Sequence, residues 1–64
     1  MNLLSEKALE VLQSCNEFTF TKSVLVANGF SQSEATAALT TLERDGLISE
    51  YATYVNDVKS YRLS

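Results

Sequence analysis

The opening segment, MNLLSEKALEVLQSCN, places Leu4, Ala8, Val11, Leu12 and Cys15 at i, i+4, i+7, i+8 and i+11. That is one stripe of a 3.6-residue helix, with Glu6, Lys7, Glu10 and Gln13 on the other faces. The pattern predicts a helix over 3–15, its start capped by Asn2 or Ser5. EFTFT follows, with Phe18 and Phe20 flanking Thr19 at the period of a strand; it is too short to stand without a partner. Thr21 can then cap a second, short helix, KSVLVAN. Val24, Leu25 and Ala27 give it apolar contacts, and Asn28-Gly29 can end it in the left-handed conformation.

The third helix, 31–45, is the best marked. Ser31 and Glu34 have the spacing of a capping box, and Phe30 and Ala35 that of a hydrophobic staple. Ala35, Ala38, Leu39 and Leu42 form its buried stripe, and Asp45-Gly46 closes it. Beyond it the chain alternates through LISEYATYVNDVKSYRLS, predicting a hairpin over 48–63 about an Asn56-Asp57 turn. That turn pairs Val55 with Val58, Tyr54 with Lys59, Ala52 with Tyr61 and Glu50 with Leu63. Ile48, Ala52, Tyr61 and Leu63 would face the helices. The expected class is α+β and mostly helical, in the order helix, strand, helix, helix, strand, strand, as one domain over 1–64.

Composition narrows what such a domain can do. A chain of 64 residues buries a modest core, and its single cysteine, Cys15, cannot form an internal disulfide. Without histidine a closed zinc site has no ligand set, and no other cofactor motif is present. No Gly-rich phosphate loop exists, and both glycines are assigned to helix ends, so no enzyme is expected. No apolar run reaches membrane-spanning length, and the amphipathic start with two glutamates does not read as a signal peptide. The expected location is cytoplasmic, with neither a membrane partner nor an evident small-molecule effector. Five Lys and Arg against eight Asp and Glu give a net charge of −3. This lowers the expectation of nucleic-acid binding and shifts attention to where the five cations lie.

Several residues carry a resemblance: Thr21, Val24-Leu25-Val26-Ala27, Gly29-Phe30-Ser31, Ala35, Ala38-Leu39, Leu42-Glu43, Asp45-Gly46-Leu47-Ile48 and Tyr61-Arg62-Leu63. Together they resemble a winged helix-turn-helix domain of the small bacterial, phage or plasmid transcriptional-regulator type, over nearly the whole chain. The resemblance implies that the third helix enters the major groove of duplex DNA and that the hairpin is the wing. It implies contacts to bases and backbone from Gln32, Ser33, Thr36, Ala37, Thr40 and Thr41, and contacts to phosphate from Lys22, Ser23 and Lys59.

Chemically, Gln32 suits a bidentate contact to adenine. Ser33, Thr36 and Thr40 can donate to phosphates or base edges, and Ala37 can touch a thymine methyl. No arginine stands among them, which speaks against guanine readout by this helix. Glu34 is read as a cap, Arg44 as paired with Glu43 or Asp45, and Cys15 as a core residue. Two or three phosphate contacts per chain imply a salt slope of only about −2 to −3, so tight binding calls for a homodimer or a protein partner. The rival expectation is a protein-interaction module or phage- or plasmid-type inhibitor on the same fold, docking through the third helix or the tyrosines Tyr51 and Tyr54.

Overall fold

Asn2 starts the first helix: its side-chain oxygen accepts from the Ser5 N–H at 2.8 Å, which settles the choice between the two cap candidates. The computed structural model describes residues 2–53 and 58–64. Helix α1 runs Leu3–Ser14, α2 Lys22–Ala27 and α3 Gln32–Arg44; strands β1, Ile48–Thr53, and β2, Lys59–Leu63, form a two-stranded antiparallel sheet. The class is α+β with three helices, as the apolar periodicity predicts.

Both ends of α3 follow from local chemistry. Ser31 Oγ accepts from the Glu34 N–H at 3.1 Å, and Glu34 Oε1 accepts from the Ser31 N–H at 2.9 Å, completing the capping box. At the other end Gly46 takes a positive φ of 79°, and the N–H groups of Gly46 and Leu47 return to the carbonyls of Glu43 and Leu42. This is a Schellman closure. Helix α2 ends the same way: Gly29 has φ 97°, its N–H donates to Val26, and the Phe30 N–H donates to Leu25. Thr21 occupies the cap position of α2 without capping it, because its hydroxyl lies 2.6 Å from Ser23 Oγ instead.

The core joins Ala8 and Leu12 of α1, Leu25 of α2, the Ala35, Ala38, Leu39 and Leu42 stripe of α3, and Ile48 of β1. Phe20 completes it from the connection between α1 and α2. The stripe of α1 is rotated from the expected one. Leu4, Val11 and Cys15 are only half-buried, while Ser5 is fully buried, and among the described residues its hydroxyl has no hydrogen-bond partner. The small Ser5 and Ala8 of α1 are fully buried with Leu12, while the larger Leu4 and Val11 pack against the margin of the core.

Two expectations for the strands are corrected. EFTFT is not a strand but a single bridge: the Phe20 N–H donates to the Tyr61 carbonyl at 2.9 Å, and the Tyr61 N–H donates back at 2.8 Å. The chain turns into α2 one residue after Thr21, so no second pair can form. Phe20 is buried and Phe18 is exposed, although a strand would put both on one face.

The hairpin register also differs. Ile48 faces Leu63, Ser49 faces Arg62 and Glu50 faces Tyr61; beyond a bulge between Glu50 and Ala52, Ala52 faces Ser60 and Thr53 faces Lys59. The expected pairs Tyr54–Lys59, Ala52–Tyr61 and Glu50–Leu63 are therefore replaced. The bulge inserts one extra residue in β1, which no two-residue turn would reveal. Ser60 consequently takes a fully buried place, its hydroxyl donating to the Ala52 carbonyl at 3.2 Å, while Leu63 lies exposed. Ile48 does face the core, and Ala52 and Tyr61 are half-buried. The expected Asn56-Asp57 turn, the Val55–Val58 pair and the place of Tyr54 lie outside the described residues.

Candidate nucleic-acid interface

Residues four apart on a helix are about 40° apart around its axis, so Gln32, Thr36 and Thr40 share one flank of α3. That flank borders a groove of about 640 Å³. Thr21, Lys22 and Ser23 at the start of α2 form a second wall, and Val58, Lys59 and Tyr61 form the third. The fold thus gathers Lys22, Ser23, Gln32, Thr36, Thr40 and Lys59 around one opening. Ser33 and Ala37 stand outside it, exposed on the outer ridge of α3, and Thr41 is half-buried on the helix's other side.

The hydrogen bonds define what this flank presents. Thr36 Oγ1 donates to the Gln32 carbonyl at 3.0 Å, and Thr40 Oγ1 donates to the Thr36 carbonyl at 2.9 Å. Each hydroxyl bonds back to the carbonyl one turn earlier, which leaves its lone pairs turned outward as acceptors. Ser33 Oγ lies 3.4 Å from Ser31 Oγ.

Charge along the groove is mixed. Lys22 is half-buried in the wall. Lys59 Nζ lies 3.6 Å from Glu50 Oε2, with both side chains well exposed, so its field is partly cancelled before any ligand arrives. Burial pushes the Tyr61 phenol above its ordinary 10.0; Lys59 opposes the shift, and Glu43 and Glu50 add to it. Both carboxylates are therefore felt at the strand side. Glu34, one turn into α3, is held below the usual 4.5 by its hydrogen bonds with the Ser31 backbone and side chain, so its charge is engaged by the cap.

The arginines lie elsewhere. Arg44 Nε is 3.5 Å from Asp45 Oδ1, as its neighbours in sequence suggested. Arg62 places its guanidinium 5.7 Å from the Phe18 ring centroid. The Phe18 ring meets Tyr51 edge-on at 5.3 Å, and both rings are more than half exposed. This Phe18, Tyr51 and Arg62 cluster is not legible without the true register. Its one available signal is the apolar Phe18 two residues from the buried Phe20. Leu39, Val58 and Tyr61 are further groove residues that the sequence did not single out as contacts.

No family model, curated protein or solved structure matches the chain. Among the described residues no helix is long and apolar enough to cross a membrane, and no group of three acidic, cysteine or histidine side chains could hold a metal ion.

Proposed function

We propose that this chain is a winged helix-turn-helix protein that binds duplex DNA as a transcriptional regulator. In this reading α3 lies in the major groove and the β1–β2 hairpin acts as the wing. The observation that carries it is the convergence of Lys22, Ser23, Gln32, Thr36, Thr40 and Lys59 on one groove. Two lysines flank a row of small uncharged side chains, so phosphates meet cations while base edges meet groups that can approach closely. Ser33 and Ala37, on the ridge of α3, would reach deepest, and Thr41 would meet the backbone at its margin.

The cations are few, and Lys59 must leave Glu50 or share it. One chain measures 31 × 23 × 22 Å, comparable to a single turn of duplex at roughly 34 Å. Two copies on half-sites one turn apart would double the phosphate contacts without crowding. A homodimer on DNA is therefore part of the proposal.

The test is a mobility-shift titration on random-sequence duplex at low and moderate salt. The wild-type chain should retard the duplex at low salt, and Lys22→Glu with Lys59→Glu should weaken binding at least tenfold. No retardation at tens of micromolar protein would overturn the reading, and an unchanged affinity in the double variant would overturn the lysine clamp. A second reading, a protein-interaction module, draws on one observation: the exposed Phe18–Tyr51 pair under Arg62 has the composition of an interface anchor. It gains ground if duplex is never retained.

A further inference from the structure

Resting on the DNA-binding reading above, we infer that Glu50 is a built-in competitor for DNA phosphate. It holds the Lys59 ammonium in the free protein and yields it when duplex binds, so the wing contact is gated by the chain's own carboxylate. The two groove lysines start from different states. Lys22 is half-buried in the wall and has no ion-pair partner among the described residues. Lys59 Nζ lies 3.6 Å from Glu50 Oε2. An ammonium has three donors, but a carboxylate and a phosphate crowded onto it repel each other. One of the two must give way.

The strand register places Glu50 independently of that distance. Glu50 is paired with Tyr61, and residues directly opposite in an antiparallel pair point to the same face. Tyr61 lines the groove, as does Lys59 two residues before it, so Glu50 stands on the groove's face of the sheet. Neither arginine compensates there, since Arg44 lies beside Asp45 and Arg62 over Phe18.

The pair is weak enough to open. Both side chains are well exposed, and a pair of this kind favours contact by only about two- to fivefold. A duplex, with one charge every ~1.7 Å of its axis, outcompetes a single carboxylate. The carboxylate stays nearby after yielding, so the phosphate on Lys59 is incompletely neutralised and releases less counterion. Affinity and its salt dependence are therefore both held below what two free lysines would give.

The experiment is an anisotropy titration of the full chain on random-sequence duplex, from about 50 to about 200 mM salt. It compares wild type with Glu50→Gln, Glu10→Gln, Lys59→Ala and the double variant Glu50→Gln with Lys59→Ala. Glu50→Gln keeps the size of an exposed side chain, and circular dichroism confirms that each variant folds. It should bind about fivefold tighter than wild type at the lowest salt, with a salt slope steeper by about 0.9 per chain. Glu10→Gln makes the same charge change on α1, outside the groove, and should gain less than about twofold. Lys59→Ala should cost more affinity when residue 50 is glutamine than in wild type, because the lysine is then unclaimed. Equal gains from Glu50→Gln and Glu10→Gln, or an equal cost of Lys59→Ala in both backgrounds, overturn the inference and leave DNA binding standing. Failure of both wild type and Glu50→Gln to bind overturns the two together.

Discussion

Helix α3 and the β1–β2 hairpin wall the same groove, yet they are held in place by opposite means. The ends of α3 are fixed by partners no more than five residues apart: Ser31 with Glu34, Gly46 with Glu43, Leu47 with Leu42. The hairpin is positioned by distant ones. Its register depends on the bulge near Tyr51, on the Ser60 hydroxyl reaching Ala52, and on Phe20 bridging to Tyr61. A helix specified locally can keep its shape while its surface residues change, whereas a small strand pair takes its geometry from what it packs on. The α3 wall of the groove is therefore the molecule's most self-sufficient element, and the hairpin wall its most dependent one.

The strongest way to break this contrast is to remove what the two walls share. Leu42 is fully buried at the centre of the core that holds both. Leu42→Ala should cost about 2–5 kcal/mol, comparable to the whole stability expected of so small a domain. Circular dichroism should then report loss of helix and hairpin together; a surviving hairpin signal would show that the two walls are not one cooperative unit.

A smaller effect sharpens it. Ser31→Ala removes a local cap and should cost about 1 kcal/mol. Ser60→Ala removes a long-range bond inside the hairpin and should cost about 0.5–1.5 kcal/mol. Urea unfolding gives both values, and amide exchange separates them. Ser31→Ala should speed exchange in the first turn of α3 alone, while Ser60→Ala should speed it across β1 and β2. The reverse pattern would undo the comparison.

The smallest effect is in pH. Glu34 has a carboxyl pKa lowered below 4.5 in the folded chain, so its bonds with Ser31 add stability above that range. The contribution is lost as pH falls through the folded value. Glu34→Gln keeps the reciprocal capping geometry and removes the titration. Thermal melts from about pH 5 to about pH 3 should show wild type losing more midpoint temperature than the variant. Parallel decline would remove Glu34 as a source of acid sensitivity.

The same contrast explains what could be read from the sequence. Ser31, Glu34, Gly29 and Gly46 announce helix ends because each acts on backbone within its own turn. The stripe of α3 is legible from spacing alone. The stripe of α1 is less so, since the polar Ser5 is fully buried on it while Leu4 and Val11 are only half-buried. The bulge, the Phe20 bridge and the Phe18–Tyr51 pair join residues far apart along the chain, and alternation carries no record of which partner a strand will meet. In the groove, the resemblance nominated Lys22, Gln32 and Lys59, but only the folded chain shows that the Thr36 and Thr40 hydroxyls bond back to carbonyls of their own helix and that Lys59 has an acidic neighbour.

The paired amides of Phe20 and Tyr61 have a consequence for the chain's life in a crowded solution. A two-stranded sheet has two outer edges, each a row of groups able to recruit a strand from another molecule. Phe20 occupies the outer edge of β2 with both of its backbone groups, and the bulge bends β1 beside the charged Glu50. Substituting proline for Phe20 would delete a donor at that edge and reopen it, making this bridge a safeguard against aggregation as well as a strut.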